Sequence, residues 1–316
     1  MEGNHIVGSG VVSDSGDVQT VRLRDGRLLA YEEAGPSDGV PVVSCHGTPS
    51  CRFTGAWADA AEAAGAYFVQ ADRPGYGRSD FNPAQTLLDW ARDVAELADA
   101  RGLGRFAVLG TSGGGPYAAA CAYALADRVK AVALVCGVGP FWDVPEVDVC
   151  ASEESGGWIR ELIDLARRDP AAAVAHAREE CAQDAEMVKR DPAEWLRYWF
   201  DNESVPRADR RLITRAEERT RLAESLREAL RSGTEGYVQD ELLLTVRPWG
   251  FSAEEIAVPA YLWHGELDAL APVGGARYLA RVIPGCQARF FADEAHLIFL
   301  RHGEEILRTL VEAGSA

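Results

Sequence analysis

Ser112 stands in Gly110-Thr111-Ser112-Gly113-Gly114, a G-x-S-x-G pattern. The apolar run Phe106-Ala107-Val108-Leu109 precedes it, and a helix-compatible stretch follows from about Gly114. A serine on such a strand–turn–helix junction is exposed above the strand ends, where its hydroxyl can attack an acyl carbon. Glycines on both sides let the backbone turn without a Cβ clash. The pattern alone is weak: a chain of this composition meets it by chance roughly 0.1–0.2 times. Its plain alternative is a glycine-rich helix entry with an N-capping serine. The apolar strand ahead of it favours chemistry. Pro116 falls in the first helical turn, where it costs no intrahelical hydrogen bond. A helix N-terminus beneath the site places positive dipole where an oxyanion would develop.

The elements that must hold this turn follow from hydrophobic periodicity. Residues 18–23 and 27–33 read as two strands joined by the hairpin turn Asp25-Gly26. Residues 40–45 are β-branched and free of charge, which suits a strand buried on both faces. Alternation then sets in: a helix at 53–64, a strand at 67–71, a helix at 86–101, a strand at 106–109, a helix at 114–125 and a strand at 129–135. Strands separated by helices imply βαβ crossovers and a parallel sheet. From about residue 141 to 247 no strong strand occurs. Helical segments rich in Ala, Arg and Glu occupy 158–168, 171–189 and 207–231, with Asp169-Pro170 and Asp191-Pro192 as helix starts. The alternation resumes with strands at 259–263 and 287–291 and helices at 274–282 and 298–311. The expected organisation is a tail over 1–17, an α/β core over 18–140 and 248–316, and a helical insertion over 141–247.

Four stretches carry a family resemblance: His46-Gly47-Thr48-Pro49, Asp72-Arg73-Pro74-Gly75-Tyr76-Gly77-Arg78-Ser79, the Ser112 turn, and His264-Gly265-Glu266-Leu267-Asp268 with Pro272 beyond. Through them the chain resembles the α/β-hydrolase superfamily from about residue 18 to the end, apart from the insertion. The resemblance implies the α/β-hydrolase fold: a mostly parallel central sheet flanked by helices, with a helical cap insertion. It also implies an acid and a base by position. Asp268 follows the strand at 259–263, where the superfamily usually places its acid. His296 follows the strand at 287–291, where the histidine usually lies, and the order Ser…Asp…His is the one this fold uses. Asp143 is a competing acid after the preceding strand. His302 competes with His296 but reads as a solvated helical residue. His264 reads as a packed structural histidine, and His5 and His176 as tail and helix-surface residues. Two backbone N–H groups, of Gly113 and of Thr48, are expected to hold the oxyanion. Pro49 has no N–H, so the hole has two donors and departs from the glycine-rich HGGG loop of many lipases and esterases. The plain alternative for His46–Pro49 is a tight turn. Epoxide hydrolases and haloalkane dehalogenases of this fold use a carboxylate nucleophile, which Ser112 sets aside.

Superfamily members often carry a helical cap where the insertion lies, excluding water and lining the substrate pocket. Here it holds Trp195, Tyr198, Trp199 and Phe200, with Trp142 and Trp158 nearer its start. Core packing explains such a cluster, yet Trp142, Trp158, Trp195, Tyr198 and Trp199 are also candidates to bind a bulky apolar group. Glu203, Glu217 and Glu218 read as a solvated helix face, with Glu203 a possible anchor for a substrate ammonium.

Bulk properties narrow the classes further. Asp and Glu number 49 against 32 Lys and Arg, for a net charge of −17. Such a surface repels phosphate backbones and anionic lipid, so neither nucleic acid nor membrane is an expected partner. A small-molecule substrate is. The seven cysteines show no C-x-x-C pair, so no zinc site is indicated, and neither metal nor cofactor is expected. Several lie in apolar runs and read as buried, reduced thiols. The first residues lack a basic region followed by an apolar one, and cytoplasmic location is the expectation. Nothing in the chain specifies an oligomeric state.

The resemblance therefore implies a serine hydrolase that cleaves a carboxylic ester, lactone or thioester of a small hydrophobic substrate. A proline iminopeptidase-like aminopeptidase, a carbon–carbon bond hydrolase and a biosynthetic cyclase would use the same three residues. A non-catalytic ligand-binding protein on this fold is the alternative of another class.

Overall fold

The computed structural model describes residues 18–315 apart from 54, 143, 145–156 and 204, and leaves out the Trp158 side chain. The tail over 1–17, with His5, and the competing acid Asp143 lie outside the described residues. Eight strands form one sheet in the order β1-β2-β4-β3-β5-β6-β7-β8. β1 (Gln19–Arg22) and β2 (Leu28–Ala34) form the antiparallel edge, joined by the expected turn with Gly26 at φ 93°. β2 also runs antiparallel to β4 (Ala66–Ala71). β3 (Val40–Cys45), β4, β5 (Phe106–Thr111), β6 (Val129–Val135), β7 (Ala260–Gly265) and β8 (Gln287–Phe291) are parallel. This is the mostly parallel sheet that the resemblance implies.

Helices cover both faces because successive strand residues point opposite ways. Val43, Val69 and Val108 face α2 (Leu87–Ala100), α3 (Gly114–Ala124) and α10 (Val273–Val282) through Trp90, Val94, Tyr117 and Leu279. Val42, Phe68 and Leu109 face α1 (Ala56–Ala64) and α11 (Phe299–Ser315) through Trp57, Ala61, Ile306 and Leu310. Sandwiching explains why the central strands read as unbroken apolar runs. α2 starts where a capping box forces it: Thr86 Oγ1 accepts from the Asp89 N–H at 3.1 Å, and Asp89 accepts from the Thr86 N–H at 3.0 Å.

Between β6 and β7 the described residues are helical: α4 (Gly157–Arg168), α5 (Pro170–Arg190), α6 (Pro192–Phe200), α7 (Arg207–Ile213), α8 (Ala216–Ala229) and α9 (Glu235–Thr245). Asp169 and Asp191 cap α5 and α6, each with proline at the first helical position. The single helix expected over 207–231 is two. No Gly or Pro marks the break at Thr214-Arg215. Packing makes it: α7 lies against the turn His296–Ile298, while α8 runs along α5 and α6. A buried cluster of Val188, Trp195, Phe200, Ile213 and Leu226 reaches Leu297 and so joins the insertion to the sheet domain.

The chain leaves β3 toward β4 on one side and later toward β5 on the other. A crevice opens at such a reversal, beyond the carboxyl ends of the strands. The His46–Pro49 loop leaves β3 there, and the Ser112 turn leaves β5.

Candidate active site

Ser112 takes φ 55°, a left-handed conformation that a non-glycine residue holds only when its surroundings compensate about 1–3 kcal/mol. Three hydrogen bonds compensate. The Ser112 N–H donates to Val135 O at 2.9 Å, and Ser112 O accepts from the N–H groups of Gly115 at 2.9 Å and Val138 at 3.2 Å. The flanking glycines are required by contact. A Cβ on Gly110 would lie 2.7 Å from Ala118 Cβ, and one on Gly114 would collide with Cys45 O. Larger residues would push α3 off the sheet. The turn leaves Ser112 half-buried, facing a cavity.

The loop after β3 closes onto this turn. A Cβ on Gly47 would lie 3.4 Å from Ser112 Cβ, and one on Gly113 would lie 2.9 Å from Thr48 Cβ. Thr48 and Gly113, the two expected backbone donors, are therefore adjacent and border the same cavity. The Thr48–Pro49 bond is cis. Buried charge holds the loop. Asp240, on α9, accepts from Thr48 Oγ1 at 2.9 Å and Tyr76 OH at 2.9 Å through one oxygen, and from Tyr117 OH through the other. The same carboxylate pairs with Arg73, whose guanidinium also donates to His46 O and Thr48 Oγ1. Burial, then the positive Arg73, push the His46 imidazole well below its ordinary range. It is neutral: Nε2 accepts the Arg73 N–H at 3.0 Å, so Nδ1 carries the proton and donates to Gly47 O at 2.7 Å. The neighbouring Asp72 folds its own loop, accepting from Arg52 and from the Arg78 N–H.

The structure brings Asp268 and His296 together. His296 Nδ1 lies 2.9 Å and 3.0 Å from the two Asp268 oxygens. Asp268, 1% exposed, also accepts the N–H groups of Leu270 and Ala271 at 2.9 Å. Burial alone would push its carboxyl up, but the His296 charge and the contacts of His296 and His264 outweigh it and hold the carboxyl far below the usual range. Burial likewise favours neutral His296, yet attraction to Asp268, their hydrogen bond and the Asp209 charge raise its pKa above the ordinary value. His296 sits in a short 3-10 turn before α11, one turn earlier than a helix start. Cys136, at the end of β6, completes the group of Cys136, Asp268 and His296, whose ligand atoms lie within 4.8 Å of one another. Burial and the charge of Asp268 push the Cys136 thiol well up. A metal there would need that thiol ionised and the Asp268–His296 contact broken, so the set fits an acid–base pair beside a packed thiol better than a metal site.

The cavity has a volume of about 540 Å³. Ser112, Gly113, Thr48 and His296 line one part of it, and the insertion supplies much of the rest. Trp195, Tyr198 and Trp199 line it, with Tyr198 59% exposed. Trp142 does not. It packs with Phe141 and Ile159 under the Arg167 guanidinium, because apolar neighbours at the start of the insertion claim its face. Trp158 lies on α4, and its side chain is outside the described residues. His302 is not a solvated residue either: it stacks on Phe291 at 4.3 Å and contacts Glu294 at 2.9 Å, since its helix face turns toward β8. His264 is packed, and its Nε2 lies 2.8 Å from Ala271 O and 3.3 Å from Asp268. His176 lies beside Glu180 on α5, and Glu203 is exposed. The six described cysteines are free thiols, and Cys150 lies outside the described residues. No helix among the described residues is long and apolar enough to cross a membrane.

Sequence reasoning missed four carboxyl groups: Asp209, Asp240, Asp184 and Glu241. Each looks like any acidic helix residue in a chain rich in them, so no local signal marks it. Glu241 and Asp184 line the cavity, as does Glu180. Burial, then repulsion from Asp240 and Asp184, pushes Glu241 up to about 8. Asp184 accepts the Tyr237 hydroxyl at 2.8 Å.

The chain shows similarity to several known proteins. Over 126 residues it is 36% identical to a non-heme chloroperoxidase of Streptomyces lividans, covering 38% of this chain and 45% of that one. Over 60 residues it is 37% identical to a pimeloyl-[acyl-carrier protein] methyl ester esterase of Chromobacterium violaceum, covering 19% and 24%. The chain thus matches less than half the length of either. Among solved structures, an esterase of Exiguobacterium antarcticum superposes with a TM-score of 0.66 at 20% identity, covering 94% of this chain and 99% of that one. An enol-lactonase of Burkholderia xenovorans superposes with 0.64 at 20% identity, covering 92% and 98%. The family model for the alpha/beta hydrolase fold matches residues 40–303. With the sheet order, the turn at Ser112 and this match across most of its length, the chain belongs to the alpha/beta hydrolase fold family.

Proposed function

We propose that this protein is a serine hydrolase that cleaves a carboxylic ester, lactone or thioester of a small hydrophobic substrate through an acyl-enzyme on Ser112. The observation that carries this reading is the shared cavity wall: Ser112, the Asp268-paired His296, Thr48 and Gly113 border one space. The Nδ1 proton of His296 is committed to Asp268, which leaves Nε2 as the base. Nε2 takes the Ser112 proton as Oγ bonds to the acyl carbon. The N–H groups of Thr48 and Gly113 hold the oxyanion of the tetrahedral intermediate. His296 returns the proton to the departing oxygen or sulfur, leaving an acyl-Ser112. Water then attacks the same carbon and gives its proton to Nε2; the bond from Oγ to the acyl carbon breaks, Nε2 returns the proton to Ser112 Oγ, and the acid leaves. The insertion acts as a cap whose aromatic wall of Trp195, Tyr198, Trp199 and Phe200 takes the apolar part of the substrate. Relatives named as esterases and an enol-lactonase accord with this chemistry.

A chain-length series of p-nitrophenyl esters tests it. Native turnover should fall by ~10³-fold or more in Ser112→Ala. Equal, slow rates in both proteins would overturn the reading.

One observation favours a second reading, an aminopeptidase-like enzyme. The described cavity lining holds Glu180, Asp184 and Glu241 and no Lys or Arg. A substrate amine would ionise Glu241 and neutralise it. In that case aminoacyl p-nitroanilides should exceed the matching unaminated esters in kcat/KM, and Glu241→Gln should depress the former alone.

A further inference from the structure

His296 is held from two directions. Asp268 grips its ring, and Asp209 grips its backbone. Asp209 Oδ2 accepts the His296 N–H at 2.9 Å, and Oδ1 accepts the Leu297 N–H at 2.8 Å. Asp209 lies on α7, in the insertion, 87 positions before His296. It is 2% exposed, and no Lys or Arg among the described residues comes within ion-pair distance of it. A lone carboxylate is costly to bury, and here its electrostatic counterpart is the imidazole itself. Burial, with repulsion from Asp268, raises the Asp209 carboxyl above its ordinary value, although the His296 charge and the two amides pull against it.

We propose that Asp209 is a positioning residue, by which the insertion fixes the turn that carries His296 and adds a second negative charge beside the imidazolium. The inference rests on the reading of His296 as the base. The insertion is then part of the active centre's frame as well as a cover. The other titratable groups facing His296 are Asp268 from the loop after β7 and Cys136 from the end of β6, with His264 of β7 behind Asp268. Cys136 is held as the neutral thiol, so Asp209 and Asp268 are the negative charges that favour the imidazolium.

Two variants separate position from charge. Asp209→Asn keeps the size and removes the charge. It offers one acceptor oxygen where two N–H groups need one each, so the turn shifts as well. Asp209→Glu keeps the charge and displaces the turn. Ester kinetics, the pH profile of kcat/KM and ¹⁵N NMR titration of His296 would be measured on protein whose competent sites are counted with a serine-reactive phosphonate. Asp209→Asn should lose about 10²-fold in kcat per competent site, as expected of a small misplacement. Its acid limb and its His296 titration should both move to lower pH. Asp209→Glu should lose kcat while keeping the native limb, and it reads the geometry even if Asp209→Asn does not fold. A native His296 titration in Asp209→Asn, or native kcat in both variants, would overturn the proposal. The titration needs no turnover, so it stands apart from the reaction assignment. Should Ser112→Ala keep full activity, the assignment fails. Should Ser112→Ala be dead and Asp209→Asn native, only the inference fails.

Discussion

The Ser112 side and the His296 side of the candidate site are built differently. Ser112 is positioned by its neighbours in sequence and by the adjoining strand: Gly110, Gly114, Gly115 and Val135 account for its turn. His296 is positioned from far away, by Asp268 at 28 positions and Asp209 at 87. The loop of Thr48 stands between the two cases. It follows its strand directly, yet Asp240 of α9 secures it from 192 positions along the chain. Packed backbone suits a group that must only be held at an angle. Carboxylates suit groups whose charge changes during reaction, because they supply field as well as geometry.

The contrast can be broken most sharply at Asp268. Asp268→Asn should keep the fold and lose about 10⁴-fold in kcat, because an amide no longer selects the Nδ1–H tautomer. Steady-state ester kinetics would check this, and a loss under tenfold would mean that position alone orients His296. Asp240→Asn should act on stability. It leaves Arg73 buried without its countercharge, which costs about 3–5 kcal/mol. A denaturant series should show a lower midpoint, and phosphonate labelling of Ser112 should slow as the Thr48 loop loosens. The smallest effect is in pH. The pKa of His296 is raised, and the base works only when neutral, so kcat/KM should climb with pH through a midpoint above the unperturbed ~6.5. A midpoint at or below that value would show that burial outweighs Asp268 and Asp209.

Much of the fold was legible in the residues. The strands at 40–45, 129–135 and 287–291 coincide with β3, β6 and β8. The first two are central strands whose largely apolar runs are buried, whereas β8 is a half-exposed edge strand. The helical insertion was less legible. The single helix expected over 207–231 is α7 and α8, and α9 carries no distinct signal although it brings Asp240 and Glu241 to the site. Trp142 shares its composition with the lining tryptophans and differs only in what packs on it.

By itself the sequence determined what adjacent residues decide: strand and helix periods, the Ser112 turn and the helix starts at Asp169 and Asp191. In these the interacting groups are a few bonds apart, so residue type nearly specifies the contact. The pairing of Asp268 with His296 came from resemblance, not from spacing. Tertiary structure alone decided which of 49 acidic residues became buried partners of the site. A carboxylate is marked out by what surrounds it after folding, and Asp209, Asp240 and Glu241 meet their surroundings only when the insertion closes on the sheet.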